Sequence, residues 1–235
     1  MSLFAIADLH LAMDPSIEDK SMDMFGGPWV DHTERLRSIW LRLISEEDTV
    51  LIPGDISWAL KIEEAVADFN WLRALPGKKV IMKGNHDLWW SSRKKMEGLF
   101  PDFFFLQNNC YEGENFVLAG SRGWILPGAS DFCEDLDKKV YQRELLRIKS
   151  SLEQAKSVAD GRPIIAATHF PPMNEKKEES EITRMFTEYN VMSAVYGHLH
   201  GSNGFANGFE GRMGGVEYRL VSLDKLEAAP LLVLK

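Results

Sequence analysis

The chain has 235 residues, of which 45% are hydrophobic and 26% are charged, and its 35 acidic and 27 basic side chains give a formal net charge of −8. This composition excludes a disordered or fibrous chain and is typical of a globular protein with one domain or at most two. No apolar run approaches the roughly 18 residues of a membrane span, and the acidic balance gives no general attraction to nucleic acid or to anionic membranes.

The start of the chain and its cysteines favour a cytoplasmic protein. The first residues have no basic start and reach Asp8 after a short apolar stretch, which is not the pattern of a signal peptide. Cys110 and Cys133 are too few for a disulfide framework and lack a metal-ligand spacing. We therefore expect two reduced thiols in the cytoplasm, no stable membrane association and no nucleic-acid partner.

Short apolar strands alternate with amphipathic helices in the first half of the chain. The predicted strands are 3–7, 49–52 and 79–82, and turn residues follow each of them. Periodic apolar positions between the strands predict one helix around 36–44 and a second from Ile62 to Leu72. This order predicts a sheet with parallel strands covered by helices.

The second half of the chain continues this alternation with more turns. Strands are predicted at 103–106, 116–119, 164–167 and 191–196, and a long helix is predicted from Tyr141 to Ala155. The apolar face of this helix is expected to pack on the core rather than on a second copy. The tail predicts antiparallel strands at 216–220 and 231–234. Because no repeat or linker interrupts the sequence, we expect one domain over residues 1–235.

Five of the predicted strands end in side chains that can bind metal ions. These side chains are Asp8 with His10, Asp55, Asn85 with His86 and Asp87, His169, and His198 with His200. In an open α/β sheet, ligands bind beyond the carboxyl ends of the strands, so residues distant in sequence are expected to meet there. The remaining histidine, His32, is assigned to the surface at the start of a helix.

The spacing and chemistry of these residues indicate a site for divalent ions. Asp8 and His10 are two residues apart, as are His198 and His200, and such pairs project to the same side of an extended backbone. Carboxylate, imidazole and amide donors without thiolate suit manganese, iron or zinc, and the set contains too much nitrogen for a calcium site. We therefore predict bound manganese, iron or zinc at the strand ends.

The ordered motifs D-x-H, G-D, G-N-H-D, H and G-H-x-H, from Asp8 to His200, resemble those of the calcineurin-like metallophosphoesterase superfamily. The resemblance implies an α/β fold, namely a four-layer α/β/β/α sandwich with mixed sheets, and two divalent ions about 3.5–4 Å apart. It also implies the ligands by position: Asp8, His10 and His200 for one ion, Asn85, His169 and His198 for the other, and Asp55 bridging both.

The resemblance implies a hydrolytic mechanism as well. A metal-bridging hydroxide would attack a phosphate ester in line with the leaving oxygen, and protonated His86 would protonate the leaving alkoxide. Asp87 is the expected orienting partner of His86, and Asn85 and His86 are expected substrate contacts. Independently of the resemblance, Arg122 follows a predicted strand and either contacts the substrate phosphate or lies on the surface. The expected partner is a small phosphate ester, either a monoester or a diester, which includes nucleotide-like compounds.

Differences from the motifs of protein Ser/Thr phosphatases indicate which branch of the superfamily the sequence resembles. Protein Ser/Thr phosphatases resemble this set but carry an Asp-Arg-Gly run after G-D, whereas Asp55 is followed here by Ile56-Ser57-Trp58-Ala59. The motifs are closer to bacterial-type phosphohydrolases, including those that cleave phosphodiesters and cyclic nucleotides. The alternatives are a protein phosphatase, a hydrolase of other esters or amides, and a scaffold without catalysis, against which the presence of His86 argues.

Several segments have two interpretations. The apolar segment 22–29 either forms an entry surface for lipid-like substrates or packs on the core. Trp58, Trp89 and Trp90 either stack on a flat substrate group or pack beneath the metal-binding loops. The charged run 175–181 is either a mobile lid or a solvated loop.

Overall fold

A computed structural model describes the backbone of residues 1–235 and the side chains of all of them except Glu18. The strands and α-helices are, in chain order, β1 (Leu3–Ala5), α1 (His32–Leu43), β2 (Thr49–Pro53), α2 (Ile62–Arg73), β3 (Lys78–Met82), α3 (Arg93–Leu99), β4 (Phe103–Phe105), β5 (Cys110–Glu112), β6 (Val117–Gly120), α4 (Glu134–Val158), β7 (Ile164–Ala167), α5 (Glu181–Glu188), β8 (Val191–Tyr196), α6 (Gly201–Asn207), β9 (Gly211–Met213), β10 (Val216–Leu220) and β11 (Leu231–Leu234). The backbone divides into two compact units, the first formed by Met1–Phe105 with Val221–Lys235 and the second by Leu106–Leu220. The single domain over 1–235 stays a prediction.

The first unit contains a mixed sheet in the order β11-β1-β2-β3-β4. Strands β1 to β4 run parallel, and β11 pairs with β1 in the antiparallel direction. Every residue of β1 and β2 is buried, which explains why these strands are continuous apolar runs rather than alternating ones. The parallel direction places the carboxyl ends of β1, β2 and β3 at the same edge of the sheet.

The second unit contains a mixed sheet in the order β5-β6-β7-β8-β10-β9. Strands β6, β7, β8 and β10 run parallel to one another, and the edge strands β5 and β9 pair with β6 and β10 in the antiparallel direction. Helix α4 buries Tyr141, Ile148 and Leu152 in the core of this unit, as its apolar periodicity predicts. The predicted antiparallel tail is only partly right, because β10 is antiparallel to β9 but parallel to β8.

Both units confirm the predicted α/β fold class with mixed sheets flanked by helices. The alternation of short buried strands with amphipathic helices produced the sheets, and the periodic apolar stripes became the faces that pack on them. Among the described residues, no helix combines the length and the hydropathy that crossing a membrane requires.

An aromatic cluster in the first unit offers a test of its core. Phe69 of α2 is fully buried, stacks on Phe100 with ring centroids 4.0 Å apart, and makes an edge contact with Trp89 at 5.3 Å. We expect Phe69→Ala to lower the free energy of unfolding by about 3–5 kcal/mol in urea titration, because it leaves a cavity. Val66→Ala on the same helix is the control: Val66 is 40% exposed and should cost under about 1 kcal/mol. Equal losses would contradict this assignment of the core.

Candidate metal centre

The ends of β1 and β2 bring predicted ligands of the first unit together. A carboxylate oxygen of Asp8 lies within 4.8 Å of a ring nitrogen of His10, and within the same distance of a carboxylate oxygen of Asp55. His10 Nε2 is 3.9 Å from Asp55 Oδ2. All three side chains are buried, and Asn85 follows the neighbouring strand β3 at the same edge of the sheet.

Backbone hydrogen bonds hold these two segments side by side beyond the strands. The N–H groups of Asp8 and His10 donate to the carbonyl oxygens of Gly54 and Asp55, each at 3.0 Å. Leu11 N–H continues the pairing to Ile56 at 2.9 Å. The D-x-H and G-D motifs, which lie far apart in sequence, are therefore fixed to each other by main-chain contacts.

The ligand residues have an unusual backbone conformation. Asp8, His10 and Asp55 have φ values of 61°, 45° and 52°, and His198 in the second unit has 73°. The extended backbone assumed from the two-residue spacing is therefore wrong at Asp8, His10 and His198. Left-handed conformations cost side-chain-bearing residues of order 1–3 kcal/mol each and persist where the surroundings hold them, which is typical of functional sites.

The buried carboxylate of Asp87 ties the segment after β2 to the segment after β3. Asp87 Oδ2 accepts hydrogen bonds from Asp55 N at 2.9 Å and Gly84 N at 2.7 Å, and Oδ1 accepts from Ile56 N at 2.9 Å and Ser57 N at 3.3 Å. These contacts place Asp87 beneath the loops. Its role as the orienting partner of the neighbouring His86 ring stays a prediction.

His86 is exposed at this edge, and its backbone is coupled to Asp55. Its N–H donates to Asp55 Oδ1 at 2.8 Å, and its ring centroid lies 5.6 Å from that of His10. Gly84 packs so closely that a Cβ atom added there would overlap the carboxylate and backbone nitrogen of Asp55. The strand end is thus shaped around the Asp55 carboxylate.

The residues of the first unit fit a divalent cation. Two carboxylates and one imidazole lie close together in a buried position, and the glycine at 84 leaves the space that the Asp55 carboxylate occupies. Oxygen and nitrogen donors without thiolate suit manganese, iron or zinc. Asp8, His10 and Asp55 would therefore hold a metal ion in this unit, and Asn85 stays a predicted ligand.

The assignment of His32 to the surface is wrong. His32 begins α1 but is only 3% exposed, and its ring nitrogens lie 3.0 Å from the carbonyl oxygen of Leu9 and 3.2 Å from that of Trp29. Burial lowers the pKa of the imidazole. Because Leu9 lies between Asp8 and His10, the contact of His32 with the Leu9 carbonyl helps to hold the backbone of the D-x-H motif in place.

A second supporting residue, Asp68 of α2, was not singled out from the sequence. Its fully buried carboxylate accepts hydrogen bonds from Met13 N at 2.8 Å and from the Ser57 hydroxyl. Both partners follow predicted metal-binding motifs. The sequence pattern could have indicated that Asp68 is buried, because this residue lies on the apolar stripe of α2, three residues after Ala65 and four before Leu72.

Two of the three tryptophans after the motifs pack in the core, and the third lies at the strand ends. Trp89 and Trp90 are buried in the core of the first unit, where Trp90 meets Phe105 at 5.4 Å. Trp58 is half-buried at the strand ends, stacks on His10 with ring centroids 4.6 Å apart, and contacts His86 edge-on at 4.6 Å. Trp58 is therefore the tryptophan next to the predicted catalytic histidine.

The second unit presents its predicted ligands at the ends of neighbouring parallel strands. His169 follows β7 and is fully buried, and His198 and His200 follow β8. The rings of His169 and His198 are 5.2 Å apart in an edge-to-face arrangement. Gly197 N–H donates to His169 carbonyl oxygen at 3.1 Å. The second unit thus brings His169 and His198 together as a pair.

Arg122 follows the adjacent strand β6 in the same unit. Its carbonyl oxygen accepts from the N–H groups of His169 and Phe170 at 2.9 and 3.0 Å, and its guanidinium lies 4.5 Å from the ring centroid of Trp124. The main chain at Arg122 therefore holds the start of the His169 loop, and its side chain packs on Trp124. Its expected contact with substrate phosphate stays a prediction.

A cavity of about 250 Å³ lies beside His198 in the second unit, with Trp124 and Phe170 among its walls. The 170–182 segment forms part of its wall, and two contacts hold that segment to the loop before α4. Glu175 accepts from Ser130 N at 3.0 Å, and Lys176 Nζ donates to Gly128 carbonyl oxygen at 2.9 Å. These contacts hold residues 175 and 176 to the neighbouring loop, which favours a fixed solvated loop over a mobile lid for the charged run 175–181.

Comparison with known proteins identifies the family. A family model described as calcineurin-like phosphoesterase matches residues 1–202, which contain every motif from Asp8 to His200. The chain belongs to the calcineurin-like phosphoesterase family. The resemblance predicted from the motifs is confirmed, and membership supports a phosphoesterase that uses divalent metal.

Individual relatives are more distant. The gene 66 protein of Mycobacterium phage D29 is 36% identical over 81 residues, which are 34% of this chain and 38% of that protein. The matched stretch thus spans well under half of that relative's length. A solved structure of a protein of unknown function from Aquifex aeolicus, AQ665, has a TM-score of 0.50 at 16% identity and covers 98% of this chain and 94% of its own. A second solved structure has a TM-score of 0.56 at 12% identity, with 92% and 88% covered. Likeness at these identities shows the fold alone.

Asp68 makes the metal-free protein less stable as the pH rises from about 4 to about 6. Burial raises its pKa to about 6 from an ordinary 3.8, so the folded state favours the protonated form. The contribution of Asp68 to the free energy of unfolding is therefore largest below pH 4, falls as the pH rises to about 6, and is constant above. The whole change is up to about 3 kcal/mol.

We expect Asp68→Asn to remove this fall. Urea titrations of the variant and the wild type with chelator, between pH 4 and pH 7, should show a stability difference that shifts toward the variant as the pH rises. Asp160→Asn, at an exposed position, is the control and should keep the wild-type profile. A difference independent of pH, or one that shifts the other way, would contradict the burial argument.

Proposed function

We propose that this protein is a binuclear metal-dependent hydrolase of phosphoric esters. The observation that carries the proposal is the meeting of Asp8, His10 and Asp55, beside an exposed His86, at one edge of the first unit's sheet. Membership of the calcineurin-like phosphoesterase family supports the same reaction class. Fold alone would not support it, because one fold hosts many functions.

The proposed ligands divide between two ions, as the family motifs imply. One ion would be held by Asp8, His10 and His200, the other by Asn85, His169 and His198, and Asp55 would be a ligand of both. The close approach of Asp8, His10 and Asp55 supports this division in the first unit, and the His169–His198 pair supports it in the second. Manganese, iron and zinc are the proposed metals.

The proposed chemistry assigns separate tasks to the metals and to His86. Bound divalent ions lower the pKa of water and neutralise phosphate oxygens. His86 is exposed, so its ring can reach the leaving oxygen, to which the protonated imidazole would donate a proton. The hydrogen bond from the backbone N–H of His86 to Asp55 Oδ1 holds the main chain of His86 next to the proposed shared ligand.

The proposed substrate is a small phosphate ester, a monoester or a diester, as for bacterial-type phosphohydrolases of the superfamily. The segment Gly54 to Ala59 contains no arginine of the kind that holds phosphate in protein Ser/Thr phosphatases. The cavity beside His198 supports nucleotide-like candidates as well, because its Trp124 and Phe170 walls suit stacking on a flat base.

Replacement of His86 tests the general-acid role. We expect His86→Ala to keep the bound metal, measured by elemental analysis, and to lose about 10²–10⁴-fold in turnover of alkyl phosphate esters. The loss should be much smaller for p-nitrophenyl esters, because that leaving group needs little protonation. Equal losses for both leaving groups, or wild-type turnover of alkyl esters, would contradict the assignment.

Replacement of the shared ligand tests the binuclear arrangement. We expect Asp55→Asn to lower the affinity for both ions at least tenfold in metal titrations, because an amide lacks the charge that bridges two cations. Asp160→Asn is a matched control, since Asp160 is exposed and also has a left-handed φ of 44°. Loss of a single ion with the other retained at wild-type affinity would show that Asp55 does not bridge.

A metal-reconstituted hydrolysis panel tests the reaction class. Phosphomonoesters, linear diesters and 2′,3′-cyclic nucleotides are compared, each with and without chelator. Metal-dependent turnover of any class supports the hydrolase, and diester turnover without monoester turnover assigns a phosphodiesterase. Metal binding without turnover of any of them would favour the scaffold on this fold.

A further inference from the structure

An open apolar concavity lies next to His86 in the first unit. It has a volume of about 400 Å³, and its walls include Met24, Phe25, Leu60 and Leu88. These side chains are 76%, 65%, 54% and 63% exposed, respectively. Single exposed apolar side chains are ordinary, but a group of them around one concavity marks a binding surface. The volume is within the range of small-molecule pockets.

The segments that carry these side chains are the ones that follow the metal-binding motifs. Leu60 lies five residues after Asp55, Leu88 directly follows Asp87, and Met24 and Phe25 belong to the 22–29 segment after the D-x-H motif. That segment fits both of its sequence interpretations: Met22 and Trp29 are buried, whereas Met24 and Phe25 are exposed.

Hydrogen bonds hold the concavity in shape. Lys20 Nζ donates to Trp58 carbonyl oxygen at 3.2 Å, which links the chain just before the 22–29 segment to the loop after Asp55. Asp23 accepts from Asp31 N at 2.7 Å, and Leu88 N donates to His86 carbonyl oxygen at 2.7 Å. The apolar walls are therefore presented by turns with defined geometry.

The floor of the concavity connects it to the proposed reaction. Trp58 and His86 both line it, and the Trp58 ring also stacks on His10. A group that fills the concavity would therefore touch His86, the proposed donor of a proton to the leaving oxygen. This contiguity favours part of the substrate as the occupant over a separate protein partner.

We propose that the concavity binds the alkyl chain of the leaving alcohol, so that the substrate is a phosphate ester of an aliphatic alcohol. The inference rests on the proposed function and adds its substrate class. In the reaction, water forms the new P–O bond, the P–O bond to the alcohol breaks, and the alcohol departs with a proton. Met24, Phe25, Leu60 and Leu88 would shield the chain from water.

The binding test uses n-alkylphosphonates, which place an alkyl chain on phosphorus and are not hydrolysed. Calorimetric titration of the manganese-loaded protein with the ethyl, butyl and hexyl compounds should show a Kd that falls by up to about fourfold per added methylene. Phe25→Ser and Leu88→Ser should each reduce this dependence on chain length. Leu136→Ser is the control, because Leu136 is 73% exposed and belongs to the second unit.

Hydrolysis of methyl and hexyl phosphate by the same proteins distinguishes the two proposals. A Kd that falls with chain length, together with faster turnover of the hexyl ester, supports both. Chain-dependent binding without turnover of either ester, or of any compound in the hydrolysis panel, supports the concavity and contradicts the hydrolase. Turnover of both esters with a Kd independent of chain length overturns the concavity alone.

The alternative occupant of the concavity is a second copy of the chain, and sedimentation can detect it. Sedimentation of the wild type and of Phe25→Ser at several protein concentrations would then show a dimer that the substitution dissociates. That result, with a chain-independent Kd, would overturn the proposal. A wild type whose sedimentation is unchanged by the substitution, with a chain-dependent Kd, supports it.

Discussion

The buried carboxylate of Asp87, which accepts backbone hydrogen bonds from two loops, is the interaction on which the strand ends of the first unit depend. Its partners are the N–H groups of residues 55–57 and of Gly84. Hydrogen bonds to a charged acceptor are the stronger kind, and removing a buried acceptor leaves several donors unsatisfied. The positions of Asp55 and of the Asn85-His86 dipeptide are thus set by a residue beneath them, whatever is bound above.

This support explains how strained ligand residues persist. Left-handed conformations at Asp8, His10 and Asp55 are each unfavourable and survive only where the surrounding structure over-determines them. Main-chain pairing of the two loops, the His32 contact to Leu9 and the Asp68 contact to Met13 provide that constraint. Donors held in this way need little rearrangement when a ligand arrives, which is the general advantage of a preorganised site.

Sequence patterns predicted nine of the eleven strands, their order along the chain and the placement of polar motifs at strand ends, because apolar runs and turn residues act locally; the short edge strands β5 and β9 were missed. They did not predict the left-handed ligands or the supporting role of His32, because those depend on contacts that periodicity does not encode. His32 and Asp68 share a signal nonetheless: each occupies the apolar stripe of its helix, four residues before Leu36 in one case and four before Leu72 in the other. A polar residue on a buried stripe indicates a buried partner more often than a surface position.

Charge compensation connects these features. The first unit buries Asp8, Asp55, Asp68 and Asp87, and a buried carboxylate is costly unless it is paired or protonated. Asp87 is compensated by backbone N–H groups. Asp68 accepts hydrogen bonds from Met13 N and the Ser57 hydroxyl, and because burial raises its pKa to about 6 it can also hold a proton below that pH. Asp8 and Asp55 lie close together, so the proposed cations would offset the charge of both. Because such a site exists only in the folded chain, metal binding would then add to the free energy of unfolding, and the same carboxylates would link stability to catalysis.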